Sequence, residues 1–179
     1  VWMTENLAYL PSVVGPGTIS ASKAYYYVYG YDDTNVVAAK ATDNYSTYGV
    51  VYNWVAATTA CPSGWHLPTD EEWTQLTDYL GGSSVAGGKL KEAGTIHWKT
   101  PNTGATNESG FSALPGGGLI LNENNDATFD GIVYLGPLWS STEDYTNNVW
   151  YRILYYNYSY VYRSITSKDY GLSVRCLRD

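Results

Sequence analysis

The chain has 179 residues and a mass of 19.8 kDa, the size of one domain, and buries roughly 70% of its unfolded surface, so a core needs no staples. With 44% hydrophobic and 15% charged residues it is no disordered segment, and its net charge of −7 argues against nucleic-acid binding. Aromatic residues make up 16%, as 19 Tyr, 7 Trp and only 2 Phe, which points to half-wet aromatic surface more than to dry core. No apolar run approaches the ~20 residues of a membrane-spanning helix, so membrane insertion is not expected.

The opening Val1-Trp2-Met3-Thr4 carries neither a basic nor an apolar leader region and reads as the start of a segment cut from a longer polypeptide. Ala24–Tyr31 is β-prone, residues 32–47 are polar and loop-like, and Val50–Ala57 is a mostly apolar, buried stretch. In CPSGWHLPTDEEWTQLTDYLGG, Thr69 followed by Glu72 makes a capping box, with Asp70 and Glu71 at the positive end of the helix. Trp73, Leu76 and Leu80 then share one helical face, and Gly81 stops the helix. A second helix is expected over Val85–Ala93, although Gly87-Gly88 weakens it. From Trp98 to about Pro137 the chain reads as Gly-, Asn- and Thr-rich loop, with Leu114–Gly118 rigid, and the last forty residues return to strand pattern. Strands, two helices, long loops and strands again read as α+β with an antiparallel sheet.

The chain offers little chemistry. SSVAGGKL at 83–90 fails as a phosphate loop: Ser83 replaces the first Gly and Leu90 the magnesium-binding Ser or Thr. His66 and His97 are in no metal spacing and read as structural or surface residues, and there is no GxSxG nucleophile. The acidic and amide run Asn122–Asp126 lacks calcium-loop spacing and reads as solvated loop. No cofactor is expected. Cys61 and Cys176 either form one long-range disulfide or stand as two buried thiols; low charge and a Tyr-rich surface favour an extracellular setting and so the bridge.

Residues 150–164 carry the strongest pattern. Trp150, Arg152 and Leu154 alternate with Tyr151, Ile153 and Tyr155, and after Tyr156-Asn157 the parity flips, so that Tyr158, Tyr160, Tyr162 and Ser164 continue the second set. A hairpin with an even-numbered loop produces such a flip. A two-residue loop at Tyr156-Asn157 sets Tyr155 opposite Tyr158, Ile153 opposite Tyr160 and Tyr151 opposite Tyr162; a four-residue loop shifts the partners and keeps the faces. One face is then an accessible stripe of Tyr151, Ile153, Tyr155, Tyr158, Tyr160 and Tyr162. The other buries Trp150, Leu154 and Val161, with Arg152 and Arg163 against a carboxylate. Eight of the 19 tyrosines fall within 145–170, a density that suggests binding.

Four motifs together resemble the Fibrobacter succinogenes major paralogous domain, a family of gut Bacteroidetes and their phages. They are Trp2-Met3-Thr4-Glu5-Asn6-Leu7, Tyr48-Gly49 with Tyr52-Asn53-Trp54, CPSGWHLPTDEEW at 61–73 and GLSVRCLRD at 171–179. LPTDEEW and SVRC are also distantly similar to formylglycine-generating enzymes. Both resemblances imply a C-type-lectin-like fold whose chain ends meet in one sheet, and there Cys61 and Cys176 can pair. The oxidase activity needs a second cysteine five residues before the last, where this chain has Gly171, so no enzymatic activity is expected.

The chain also resembles the variable proteins of diversity-generating retroelements, which commonly use this fold. Their adenine-directed mutagenesis of an Asn codon reaches Tyr, Ser, Thr, Ile and Asp but never Trp, Lys, Glu, Gln or Met. The candidate ligand-facing positions Tyr145, Tyr151, Ile153, Tyr155, Tyr158, Tyr160, Tyr162, Ser164, Thr166, Asp169 and Tyr170 all belong to that set, and Tyr156 at the turn joins them as a candidate contact. Tyr and Ser make adaptable contact surfaces at small rotamer cost. The resulting expectation is a single C-type-lectin-like domain over 1–179, non-enzymatic, that binds a protein or glycan on a cell surface. It would act outside the cell, as the receptor-binding module of a phage tail fibre or bacterial surface protein. The alternatives are a fixed-specificity glycan-binding adhesin and the oxidase weakened above.

Overall fold

The computed structural model describes residues 1–124, 126–145 and 148–179. Five helices and ten strands alternate along these residues. A five-stranded antiparallel sheet runs in the order β1 (Tyr26–Tyr27), β2 (Val51–Asn53), β9 (Gly171–Leu172), β4 (Gly116–Leu121), β5 (Ala127–Ile132). A three-stranded antiparallel sheet follows as β6 (Leu135–Glu143), β7 (Val149–Tyr155), β8 (Val161–Thr166). A parallel bridge between Leu138 and Ser173 joins the two into one curled surface. A short pair of β3 (Trp65–His66) with β10 (Leu177–Arg178) completes the strands.

The chain ends meet. Trp2 bridges Leu177, Met3 N–H donates to the Cys176 carbonyl at 3.0 Å and Leu7 N–H to that of Val174 at 2.9 Å. Arg175, fully buried, donates to Asn6 Oδ1 and to the carbonyls of Met3, Phe111 and Ser112. Asn6 Nδ2 donates in turn to the Tyr48 carbonyl. At Gly49 (φ 75°) a Cβ would crowd the Leu7 carbonyl oxygen, so the chain there needs glycine. Cys61 and Cys176 form a disulfide, with Cα atoms 5.9 Å apart. Four motifs far apart in sequence thus converge on one buried knot.

The capped helix α4 (Asp70–Tyr79) forms as its signals dictate. Thr69 and Glu72 make both halves of the capping box, and Leu80 and Gly81 end the helix. Trp73 and Leu80 are buried and Leu76 half-buried. Leu172, Val174 and Cys176 face the core, but Ser173 and Arg175 between them are buried as well, because the strand is covered on both sides. The indoles of Trp73, Trp54, Trp139 and Trp98, half-buried at Trp54 and buried at the others, find partners on β6 and elsewhere: Trp73 Nε1 donates to the Trp139 carbonyl, Trp54 Nε1 to Ser140, Trp139 Nε1 to Tyr52 and Trp98 Nε1 to Ala113. The register of β6 on β7 shifts between Trp139 and Glu143, so the first two indoles serve carbonyls at a bulge.

Several sequence expectations need correction. Residues 32–47 hold two short helices, α1 (Val36–Lys40) and α2 (Asp43–Tyr48), capped by the side chains of Asn35 and Thr42; five or six residues are too few for an apolar period to show. The buried stretch at 50–57 splits into β2 and helix α3 (Trp54–Ala60). Asn53 makes the switch, accepting from Tyr25 and Ala56 N–H and donating to the Ser20 and Lys23 carbonyls. The β-prone run at 24–31 contributes only the two residues of β1. The expected loop to Pro137 contains β4, β5 and the start of β6. Gly116–Gly118 lies in β4, where a Cβ at Gly118 would collide with the Gly171 carbonyl oxygen. The helix expected at 85–93 is α5 (Ser83–Leu90), and Lys91 has left it for extended backbone. Of the run 122–126, Asn122 Oδ1 accepts from Asn124 and Asp126 N–H, while Asn125 lies outside the described residues.

The disulfide spans a sequence separation of 115, and closing so long a loop restricts the unfolded chain. The double variant Cys61→Ala/Cys176→Ala is expected to lose about 2–5 kcal/mol of unfolding free energy in a denaturant titration. A loss below about 1 kcal/mol would mean that the Arg175 knot alone holds the ends together.

Candidate binding surface

Strands β7 and β8 form the hairpin that the parity flip implies. The observed pairs are Ile153 with Tyr162, Tyr151 with Ser164 and Leu154 with Val161. This is the register of a four-residue loop, Tyr156 to Ser159, and not of a two-residue one; the faces are those expected. The loop length is set from outside the hairpin. Gly88 N–H donates to the Ser159 carbonyl, Thr103 N–H to that of Tyr156, and Tyr156 N–H to that of Tyr134. A Cβ on Gly87 would overlap the Tyr160 carbonyl, and one on Gly104 the Ser159 hydroxyl. Of the two glycines that weaken α5 as a helix, Gly87 therefore lets the hairpin tip rest directly on it, and Gly88 lets the Gly104 loop approach as closely.

Lys91 fixes the tip. Its side chain is fully buried, and Nζ donates to the carbonyls of Thr103, Tyr155 and Tyr158 at 3.0, 3.0 and 2.9 Å, with the Trp98 ring 5.3 Å away. Burial pulls its pKa down to about 8. Three carbonyls use all three ammonium protons, so a cation that is costly to bury alone is fully bonded.

Above this support lie four tyrosines in mutual contact. Tyr155 is 5.1 Å from Tyr162 and 6.1 Å from Tyr158, and Tyr160 is 5.7 Å from Tyr162 and 6.2 Å from Tyr158, by ring centroids. Tyr155 is half-buried, whereas Tyr158, Tyr160 and Tyr162 are 43%, 46% and 40% exposed. Tyr156 is half-buried, edge-on to Tyr134 at 5.3 Å.

The rest of the expected stripe is recessed. Ile153 is only 6% exposed, contrary to the accessible position expected. It sits on the central strand between Pro137 and Tyr162 and faces Gly118, Ile120 and Leu135 across a cavity of about 70 Å³. Tyr151, Thr166 and Tyr170 line the same cavity, Tyr151 sharing a hydrogen bond with the Ser164 side chain. Ser164 and Asp169 are half-buried, and Asp169 Oδ1 has no partner among the described residues. Tyr145 stands fully exposed between β6 and β7; its neighbours Thr146 and Asn147 lie outside the described residues. The twelve candidate positions therefore divide into a projecting ring cluster, a half-buried floor and the separate Tyr145.

The opposite face of the hairpin packs on α4. Leu154 and Val161 are buried as expected, but Trp150 is half-buried, because the Arg163 guanidinium, 3.4 Å over its ring, covers it in place of a core side chain. Arg152 is buried and Arg163 exposed, yet both reach Asp70 in the first turn of α4, at 2.6 and 2.9 Å. Burial works to raise the Asp70 carboxyl, and its bonds to Arg163 and Arg152 outweigh it, so the pKa lies below the ordinary carboxylate value. Asp70, Lys91 and the glycines of α5 are the positioning residues that pattern reading missed. A lysine at the end of a buried apolar helix is the one local signal for Lys91.

Two outcomes follow from these geometries. Lys91→Met leaves three carbonyls without their donor, each costing about 1–3 kcal/mol if it stays buried. Amide exchange at Gly88 and Thr103, whose N–H groups hold the tip, should accelerate more than at Trp73, and equal protection would remove Lys91 from its role. Asp70→Asn strands the buried Arg152 charge and should cost about 3 kcal/mol. Because the folded Asp70 pKa is depressed, its stabilisation is complete above pH about 4 and is lost as pH falls through the lower folded value. The melting-temperature gap between wild type and Asp70→Asn should therefore close on acidification, and a gap independent of pH would contradict the ion pairs.

No curated protein and no solved structure matches the chain significantly. The family model of the Fibrobacter succinogenes major domain matches residues 1–178, a span that takes in the knot of joined ends, the capped helix and the tyrosine hairpin, and the chain belongs to that family.

Proposed function

We propose that this is a non-enzymatic ligand-binding domain of C-type-lectin-like fold whose tyrosine-rich hairpin meets a protein or glycan outside the cell. In this reading it is the diversified receptor-binding module of a phage tail fibre or bacterial surface protein. The observation that carries the reading is the contiguous cluster of Tyr155, Tyr158, Tyr160 and Tyr162 on a tip held by its own carbonyls. Large exposed aromatic patches mark interaction sites, and tyrosine gives contact area at small entropic cost.

The lectin-like reading is supported by the pairing of the first and last segments. The oxidase alternative is weakened further because Cys176 is tied up with Cys61. Diversification is supported by the way the tip is held. Lys91, Gly88 and Thr103 grip the main chain of residues 155–159, and main-chain bonds do not depend on the side chains above them. Tyr158, Tyr160 and Tyr162 can then change identity without releasing the loop.

The test is an alanine series at Tyr158, Tyr160 and Tyr162, read for unfolding free energy and for adhesion of the purified chain to gut bacterial cells. Stability should stay within about 0.5 kcal/mol of wild type, while at least one substitution weakens binding by about 2 kcal/mol or more. Destabilisation at all three positions with adhesion unchanged would mean that the rings serve packing.

A further inference from the structure

Beside the ring cluster, between α4 and β8, lies an open groove of about 370 Å³, within the size range of ligand pockets. One side is aromatic, formed by Tyr160 and Tyr162. The other is polar, formed by Thr74, Thr77 and Asp78 on α4 and by Ser83 at the start of α5; Arg152, Val161 and Arg163 complete the lining. Thr74 is engaged with the Asp70 carbonyl and Arg152. Arg163 spends Nε and Nη2 on Asp70, while its Nη1 has no partner among the described residues.

Asp78 is the informative residue. It is exposed, and its carboxylate has no hydrogen-bond or ion-pair partner among the described residues. It also stands in the last turn of α4, which holds no basic side chain, where the helix dipole disfavours negative charge. The helix gains nothing from a carboxylate there, so the residue points to a role outside the fold.

The groove's chemistry selects an occupant. An apolar group would strip water from Asp78 and Arg163 without replacing their bonds. An anion would meet Asp78 and a chain of net charge −7, and a cation would meet Arg163. A neutral polyhydroxyl ring donates to a carboxylate, accepts from a guanidinium and lays its carbon face on an aromatic ring. We propose that the groove is a subsite for one neutral sugar ring of a glycan, with Asp78 accepting its hydroxyls, Arg163 donating to them and Tyr160 and Tyr162 stacking on its C–H face. The proposal rests on the binding function above and names its ligand class.

The experiment is an array of neutral and acidic glycans probed with the full chain, with Asp78→Ala, Tyr158→Ala and the control Val37→Ala alongside. The wild type should retain at least one neutral glycan. Val37→Ala, an exposed residue outside both the ring cluster and the groove, should retain it too, and Asp78→Ala should weaken it on the order of tenfold or more, as loss of a charge-assisted hydrogen bond does. The melting temperature of Asp78→Ala should be unchanged or higher, since the charge opposes the helix dipole. Retention of no neutral glycan, or equal retention by Asp78→Ala, overturns the subsite. A protein ligand lost by Tyr158→Ala and kept by Asp78→Ala also overturns it, while leaving the proposed binding function in place.

Discussion

One buried ammonium sets the position of the surface that matters. Lys91 gives its three protons to carbonyls from two segments, the Thr103 loop and the hairpin tip, and the tip cannot move without leaving a buried charge short of partners. A charge in that state costs far more than an ordinary hydrogen bond contributes, so the arrangement is held by a penalty on every alternative. Arg175 repeats the device at the joined chain ends, where it binds Asn6 and three carbonyls. Both cations spend most of their bonds on backbone, which ties distant segments together without dictating the side chains those segments carry.

Asp70 plays the complementary part between helix and sheet. It occupies the first turn of α4, where the helix dipole favours a carboxylate, and it takes both Arg152 and Arg163 from the hairpin. The pair with buried Arg152 is costly to break one-sidedly, whereas the exposed Arg163 arm is worth little by itself. The scaffold thereby grips the hairpin from two sides: its inner face through Asp70 and the apolar pair Leu154 and Val161, its tip through Lys91 and the glycines of α5. The projecting rings of Tyr158, Tyr160 and Tyr162 are left with no structural duty beyond contact with one another.

Much of this was legible in the sequence, and what was not has a common cause. The Thr69–Glu72 box and the Trp73, Leu76, Leu80 spacing are local signals, and α4 obeys them. The alternation about Tyr156-Asn157 fixes which side chains share a face because strand period is a local property. Register is not local: the loop length answers to Gly87 and Gly88 on α5 and to Lys91 just after it, some seventy residues earlier, so the pairing of Ile153 with Tyr162 is invisible from the hairpin alone. The burial of Ile153 likewise depends on Gly118, Ile120 and Leu135 across the cavity. The run at 116–118 reads as loop by composition, and becomes strand because only glycine lets Gly171 approach so closely. Lys91 follows directly on a segment that looks like a failed phosphate loop, whose own lysine, Lys89, pairs with Glu108, while Lys91 turns inward to carbonyls.

The central claim is that the tip is positioned by main-chain bonds and is indifferent to the rings it carries. The most direct measurement is a crystal structure of the variant in which Tyr155, Tyr158, Tyr160 and Tyr162 are all changed to Ser. The account predicts an unchanged backbone path over residues 155–160, with Lys91 Nζ still within hydrogen-bond distance of the carbonyls of residues 103, 155 and 158. A tip that collapses or re-registers, leaving Lys91 with different partners, would contradict it.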